Sequence, residues 1–151
     1  MGARVKVSAE EGVKTITIQT PTVAQIREIE ELYRAQQWWQ AADDDSPKLI
    51  PRLIAGSHCF VAAIEGEEIV GMGRVISDGV SDAYIQDLMV RHDRRHRGIG
   101  RRILETLLKR LRDDGIRWVG LIAQRGSYDL YRQAGFAEMP DALPMLMNRV
   151  P

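Results

Sequence analysis

A strand, a glycine turn and a helix follow one another in the middle of the chain and constrain its fold more than any other segment. Residues 85–90 are mostly apolar and predict a strand, and residues 103–111 carry the apolar spacing of an amphipathic helix. Between them, Gly98 and Gly100 let the backbone turn tightly and approach a ligand closely. The first N–H groups of a helix have no partner inside it, and its dipole leaves partial positive charge there. The segment therefore predicts a site for phosphate or pyrophosphate.

The same turn is strongly basic. Six arginines fall within residues 91–102, with Asp93 as the only acid among them: Arg91, Arg94, Arg95, Arg97, Arg101 and Arg102. A solvated basic face is the alternative to a phosphate site. No Lys-Ser/Thr pair follows Gly100, so the turn is not a Walker P-loop, and Ile103 stands where a dinucleotide fingerprint has its third glycine.

Composition limits the classes of protein that need to be considered. The 151 residues are 44% hydrophobic and 28% charged, and 21 basic residues balance 21 acidic ones, so the formal net charge is zero. This balance argues against a general nucleic-acid or membrane-surface binder. Cys59 is the single cysteine, and the three histidines lack metal-ligand spacing, so we predict no disulfide and no metal site. With no apolar run of membrane-spanning length and no signal-like start, we expect a cytoplasmic protein.

The pattern along the chain predicts a flexible leader over residues 1–13 and one domain over residues 14–151. Hydrophobic alternation, turn residues and helix caps predict α/β architecture of the mixed α+β kind, with antiparallel hairpins first and a strand–helix–strand crossover after them. The crossover predicts one parallel pair at the centre of a mixed, mostly antiparallel sheet. Strands are predicted at residues 15–19, 59–64, 69–76, 83–90, 118–123, 136–137 and 145–147, and helices near 22–36, 47–56, 98–113 and 127–134.

Two motifs together resemble a known family. The strand followed by Arg95-x-x-Gly98-x-Gly100 and a helix resembles the acyl-CoA signature of the GCN5-related N-acetyltransferases (GNAT). Downstream, Tyr131-Arg132-Gln133-Ala134-Gly135-Phe136 resembles that family's second motif, a tyrosine followed after three residues by Gly-Phe. The resemblance covers roughly residues 14–149. Within the family, the C-terminal half of the chain is similar to the small arylalkylamine-type acetyltransferases. It implies an acetyl-CoA-dependent N-acetyltransferase.

The resemblance also implies where acetyl-CoA (CoA) would bind. In relatives the strand before the signature carries a bulge and splays from its parallel neighbour, and pantetheine lies in the gap. The backbone of Leu88 and Val90 would then bond to the pantetheine arm, with the Val90 N–H facing the thioester oxygen. The residues implied for this cofactor are Leu88, Met89, Val90, Arg95, His96, Arg97, Gly98, Ile99, Gly100, Arg101, Gln124 and Tyr131.

The catalytic residues implied are Tyr131, Gln86 and Tyr84. Tyr131 matches the family's general acid, which passes a proton to the departing thiolate; the alternative is an aromatic packed on the sheet. Relatives often place a Glu or His where Tyr84 and Gln86 stand here, and neither of these is a good base. Gln86 could hold a water that removes the amine proton, or bulk water could take it. Asp87 is one residue out of phase with Gln86, so alternation turns it away unless a bulge intervenes.

The acceptor is encoded only weakly. In relatives the first two helices and their connection line the acceptor pocket, which implies Trp38, Trp39 and Asp44 as substrate-binding residues. Paired tryptophans could sandwich an aromatic or cationic amine; alternatively, one tryptophan is core and the acidic triplet at 43–45 is a solvated loop. The expected partner is a small-molecule amine, with no nucleic acid and no membrane, and a homodimer is left open.

Three functions therefore compete at this point. The first is an N-acetyltransferase acting on a small primary amine, with a protein amine as the alternative acceptor. The second is a non-catalytic acyl-CoA sensor, which the missing base favours and Tyr131 disfavours. The third is a nucleic-acid-binding domain that uses the arginine block, which zero net charge disfavours.

Overall fold

The computed structural model describes residues 12–39, 48–124 and 126–147. The chain divides into two compact units, residues 1–120 and residues 121–151, each described in turn. The strands are β1 (Val13–Thr17), β2 (Cys59–Glu65), β3 (Glu68–Ser77), β4 (Asp82–Val90) and β5 (Trp118–Leu121). The helices are α1 (Val23–Ala35), α2 (Leu49–Gly56), α3 (Ile99–Asp113) and α4 (Tyr128–Gln133), with a 3-10 turn at His92–Arg94. None of the described helices is long and apolar enough to cross a membrane.

The strands form one sheet in the order β1-β2-β3-β4-β5. The pairs from β1 to β4 are antiparallel, and β4 and β5 are the parallel pair that the crossover through α3 predicts. The α/β class, the mixed sheet and the four helices are confirmed. Among the described strands, however, β5 is the last in the order, so the parallel pair lies at the end of the sheet. A central position would require further strands beyond β5.

Helix α3 packs on one face of the sheet and fixes the position of the glycine turn. Its apolar stripe is fully or almost fully buried: Ile103, Leu104, Leu107 and Leu111. The helix approaches β3 closely because β3 has glycines beneath it. A Cβ at Gly71 would lie 2.9 Å from both Ile103 Cδ1 and the Met89 carbonyl oxygen, and one at Gly73 would lie 3.0 Å from Ile103. This packing holds the first turn of α3 beside the end of β4.

Helices α1 and α2 contribute to the hydrophobic core with the strands. Thr22 caps α1: its hydroxyl accepts from the Gln25 N–H at 3.1 Å, and the Gln25 side chain accepts from the Thr22 N–H at 2.9 Å. This capping box confirms the helix start predicted near residue 22. The predicted cap of α2, at residues 46 and 47, lies outside the described residues. The core members of this cluster are Ile18, Ile29, Leu32, Tyr33, Ile50, Ile54, Phe60, Ala62, Ile69, Met72 and Met89.

The second unit contains α4, which ends just before Gly135 (φ +99°), as predicted. The strands predicted at 136–137 and 145–147 are wrong: residues 136–147 contain no strand. Pro140 and Pro144 lack the N–H that a strand ladder needs, and a short apolar triplet becomes a strand only when it pairs with a sheet edge. Met145 is 90% exposed and Leu146 is 86% exposed.

Candidate functional site

A β-bulge interrupts β4 just before the basic turn. Met72 pairs with Met89 and Arg74 pairs with Gln86, so two residues of β4, Asp87 and Leu88, lie opposite one residue of β3. Asp87 has φ +55°, a left-handed conformation that aspartate tolerates better than most residues. The bulge that the family resemblance implies in this strand is therefore present.

The bulge overturns the expectation that Asp87 points away from Gln86. Gln86 is directly opposite Arg74, so their side chains share a face of the sheet. Asp87 Oδ2 accepts a hydrogen bond from Arg74 Nε at 2.6 Å, which places Asp87 on that face as well. The sequence gives no direct signal of this change, because alternation is counted through a bulge as if the strand were regular.

The two candidate proton-handling residues of β4 differ in their surroundings. Gln86 is half-buried. Tyr84 is 46% exposed, and its ring meets the Trp118 ring edge-on with centroids 5.2 Å apart. The Trp118 ring lies over Gly120, where an added Cβ would come within 2.8 Å of it. Neither Tyr84 nor Gln86 gains, from these contacts, a group that would make it a strong base.

The glycine turn has the geometry expected of an anion site. Gly98 is the N-cap of α3 with φ +75°, and no side chain caps the helix there. A Cβ on Gly98 would meet no heavy atom within 4 Å, so the space beside Gly98 is open. His96, two residues earlier, is also left-handed, at φ +62°. The first N–H groups of α3 are thus left for an anionic ligand such as a phosphate.

The arginines of residues 91–102, the arginine block, carry less unpaired positive charge than the sequence indicates. Carboxylates that are distant in the sequence form ion pairs with several of them. Glu65, at the end of β2, binds Arg94 at 2.6 Å and Arg97 at 2.8 Å. The hydrogen bond from Arg97 is the largest cause, and that from Arg94 the second, of a Glu65 pKa lowered to about 2. Arg91 binds Asp93 at 2.8 Å and Glu68 at 3.2 Å. The hydrogen bond from Arg91 lowers the pKa of Asp93 to about 2.

Two arginines of the block have no carboxylate partner among the described residues. Arg102 Nη1 donates to the Val13 carbonyl at 2.6 Å, which ties α3 to β1. Arg95 Nε donates to the Val90 carbonyl at 3.3 Å, at the end of β4. Arg101 is exposed and pairs with Glu105 one helical turn away. Arg95 is thus the guanidinium beside the glycine turn whose charge no described acid offsets.

Two of the predicted acceptor residues, Trp38 and Trp39, lie beside Tyr33. The Trp39 ring stacks on the Tyr33 ring with centroids 4.3 Å apart and planes 4° apart, and the Trp38 ring lies tilted at 6.0 Å. Both tryptophans are partly buried against the hydrophobic core, and Tyr33 occupies one face of Trp39. Asp44 and the rest of the acidic triplet lie outside the described residues.

Tyr33 is also the link between these rings and the β4 bulge. Its hydroxyl donates to Asp87 Oδ2 at 2.7 Å. Burial, with the Asp87 carboxylate as the second cause, raises the pKa of the Tyr33 phenol well above its usual range. Tyr33, Arg74 and Asp87 form a polar cluster that the sequence analysis missed, since these residues are far apart in the chain and the bulge hides the phase of Asp87.

The second unit carries Tyr131 and Gln124. Tyr131 is buried, and its ring meets Phe136 edge-on with centroids 6.0 Å apart. Burial raises the pKa of the Tyr131 phenol, so its proton stays on at neutral pH. The Gln124 carbonyl accepts two hydrogen bonds from Ser127, at 3.1 Å from its N–H and 2.6 Å from its hydroxyl.

A family model described as "Acetyltransferase (GNAT) family" matches residues 22–136, which include the bulge, the glycine turn and Tyr131. The chain belongs to the GNAT acetyltransferase family. Among curated proteins it is 35% identical over 74 residues to a chloroplastic serotonin N-acetyltransferase 2 of Oryza sativa subsp. japonica, a match that spans 49% of this chain and 37% of that protein. The chain spans less than two thirds of the length of the curated relatives it matches.

Solved structures of GNAT proteins share this fold. An aminoglycoside acetyltransferase from an uncultured soil metagenomic sample, solved with trehalose, superposes with a TM-score of 0.76 at 17% identity, over 93% of this chain and 99% of that one. A predicted acetyltransferase of Clostridium acetobutylicum, solved with acetyl-CoA, superposes with a TM-score of 0.66 at 16% identity, over 89% and 96% of the two chains.

Proposed function

We propose that this protein transfers the acetyl group of acetyl-CoA to a primary amine of a small molecule. The observation that carries the proposal is the uncapped N-terminus of α3 behind Gly98, next to the bulged end of β4. The second GNAT motif, at Tyr131, supports it. Acetyl-CoA supplies the acetyl thioester; attack by the amine nitrogen forms the amide and releases the thiol.

The residues of the turn bind the cofactor in this proposal. The backbone N–H groups of residues 95–101 hold the pyrophosphate, and the Arg95 guanidinium adds a positive charge that no acid among the described residues offsets. The side chains of Arg97 and Arg101 contribute less, because Glu65 and Glu105 already bind them. Along β4, the backbone of Leu88 and Val90 holds the pantetheine arm, and the Val90 N–H stabilises the carbonyl oxygen as it gains charge.

Proton transfers complete the proposed reaction. An acceptor that arrives as an ammonium first gives one proton to a water held by Gln86 or to bulk water and becomes the nucleophilic amine. On attack the nitrogen gives up a second proton by the same route, and the departing sulfur gains one from Tyr131, which solvent then reprotonates. A phenol with a pKa of ~10 is a weaker acid than a thiol with a pKa of ~8.5, so this donation is uphill by about 2 kcal/mol. Burial raises the pKa of Tyr131 further, so the hydroxyl contributes mainly as a hydrogen-bond donor to the developing thiolate.

The acceptor class is proposed from the aromatic surroundings and from one relative. Tyr33, Trp38 and Trp39 lie together, and the rice relative is named for serotonin, an arylalkylamine. Arylalkylamines therefore come first in an acceptor panel, followed by polyamines, aminoglycosides and a lysine peptide.

The panel tests the proposal through thiol release from acetyl-CoA and the mass of the acetylated product. We expect amine-dependent thiol release with at least one small primary amine. Tight acetyl-CoA binding without turnover on any amine would contradict catalysis and favour the sensor. Turnover on the peptide alone would assign a protein acceptor.

A further inference from the structure

We propose that Asp87 binds and orients the ammonium group of the acceptor, next to the segment of β4 that would hold pantetheine. The inference rests on the proposed function and deepens it by assigning a residue to acceptor recognition. Its first support is placement. The bulge at Asp87 and Leu88 turns this carboxylate onto the face shared by Gln86 and Arg74, one residue before Leu88. Bulges recur beside active sites, where they redirect a side chain.

The carboxylate is held through one of its oxygens, and its side chain is partly exposed. The hydrogen bonds from Arg74 Nε, at 2.6 Å, and from the Tyr33 hydroxyl, at 2.7 Å, both end on Oδ2. Arg74 is itself steadied by the Ser57 hydroxyl, which accepts from Nη1 at 3.4 Å. Neither of the two bonds to Asp87 uses Oδ1, and the Asp87 side chain is 20% exposed. A carboxylate has about four acceptor positions, so Oδ1 can accept from a primary ammonium.

The neighbouring groups suit a cationic ligand with an apolar body. The Tyr33 hydroxyl connects Asp87 to the ring that stacks on Trp39, so a carboxylate and aromatic rings adjoin in one cluster. Aromatic faces attract organic cations, and a carboxylate fixes the orientation of an N–H group.

The Arg74 pair also explains how the amine can still react. A lone carboxylate would hold an ammonium strongly in its protonated, unreactive form. Here the Arg74 guanidinium, bound to Oδ2, offsets part of the Asp87 charge. The pair therefore orients the amine while opposing its deprotonation less than an isolated carboxylate would. Asp87 is a binding residue in this proposal and not the base.

The test compares Asp87→Asn with the wild type. Asparagine is nearly isosteric and also tolerates the left-handed backbone. The probes are 2-phenylethylamine and its uncharged isostere 2-phenylethanol, titrated against protein saturated with CoA by tryptophan fluorescence and calorimetry. We expect amine affinity to fall at least about tenfold, because a hydrogen bond between charged groups is lost. Affinities for 2-phenylethanol and acetyl-CoA should stay within about twofold.

Controls separate binding from packing. Asp82→Asn removes an exposed carboxylate at the start of the same strand, so amine affinity should stay within about twofold. If Asp87→Asn unfolds because Arg74 loses its partner, the double variant Asp87→Asn with Arg74→Gln removes both charges and gives the same comparison. For any amine the wild type acetylates, the loss should fall on the KM for the amine rather than on that for acetyl-CoA.

The possible outcomes distinguish failure of the Asp87 site from failure of the proposed acetyltransferase activity. Equal amine affinity in the wild type and Asp87→Asn, or equal losses for the amine and the alcohol, overturns the role of Asp87 whether or not the enzyme turns over. An Asp87-dependent affinity for the amine in a wild type that never releases thiol supports this site and overturns the acetyltransferase proposal. Absence of 2-phenylethylamine binding to the wild type overturns this site for arylalkylamines, whereas the acetyltransferase proposal fails only if no amine of the panel releases thiol.

Discussion

Arg95 and Arg91 stand four residues apart in the same basic turn, yet their partners differ. Arg91 binds two carboxylates, Asp93 and Glu68, whereas Arg95 donates only to the Val90 carbonyl among the described residues. A guanidinium whose charge is already offset contributes less to phosphate binding, because its existing ion pairs compete with the phosphate.

Arg95→Ala should therefore weaken acetyl-CoA binding more than Arg91→Ala does. We expect about tenfold against less than about threefold, measured by calorimetry in moderate salt. Thermal unfolding of both variants serves as the control for folding. Equal losses of affinity in the two variants would mean that the ion pairs of Arg91 do not withhold its charge from the cofactor.

Tyr131 is the second residue whose role can be isolated. Phenylalanine keeps the ring and its contact with Phe136 and removes one hydroxyl, so stability and acetyl-CoA affinity should change little. If the hydroxyl donates a hydrogen bond to the leaving sulfur, kcat should fall about tenfold, less than the ~10²–10⁴-fold typical of a general acid that transfers its proton completely. Steady-state kinetics with a saturating amine measure this, and a wild-type kcat in Tyr131→Phe would leave the hydroxyl without a catalytic role.

At the scale of elements, Glu65 joins the end of β2 to the basic turn through Arg94 and Arg97. Its pKa is lowered to about 2 in the folded protein, against ~4.3 for an unperturbed glutamate. A lowered folded-state pKa means that this stabilisation is present above about pH 4.3 and is lost as the pH falls towards 2.

Glu65→Gln should remove that part of the pH dependence. Between about pH 5 and about pH 2, the midpoint of thermal unfolding should fall less steeply in the variant than in the wild type, and added salt should reduce the difference. Glu67→Gln, an exposed glutamate in the neighbouring turn without an assigned ion pair, is the matched control. Parallel curves for Glu65→Gln and the wild type would contradict a stabilising role for the network.

The elements also differ in how far the sequence determines them. Regular apolar spacing and a Thr22 cap predict α1, and glycine signals predict both ends of α3, because these are local effects. The strands predicted at 136–137 and 145–147 do not form, because a strand needs a partner edge, and the sequence of 136–147 does not specify one. The start of β1 was predicted at residue 15, but the strand begins at Val13. Its ladder with β2 extends to the pair of Val13 and Glu65.

At the scale of the whole molecule, the candidate functional residues that the sequence points to are those in contiguous motifs. Gly98, Gly100 and Tyr131 stand in such motifs. The partners of the arginines and the cluster of Tyr33, Arg74 and Asp87 could not be predicted, because they depend on long-range pairing and on a bulge that shifts the register of β4. The number of arginines in residues 91–102 therefore overestimates the net positive charge of the turn, because acids from other strands pair with some of them.

The central claim is that the N-terminus of α3 holds acetyl-CoA, and Gly100→Val tests it most directly. Gly100 lies in the first turn of α3, where valine is compatible with the helix and adds a side chain beside the backbone N–H groups proposed to hold the phosphate. Gly56→Val, in the last turn of α2 with no atom near an added Cβ, is the matched control. We expect calorimetry with acetyl-CoA to detect binding to the wild type and to Gly56→Val, and no binding to folded Gly100→Val. Wild-type affinity in folded Gly100→Val would contradict the claim.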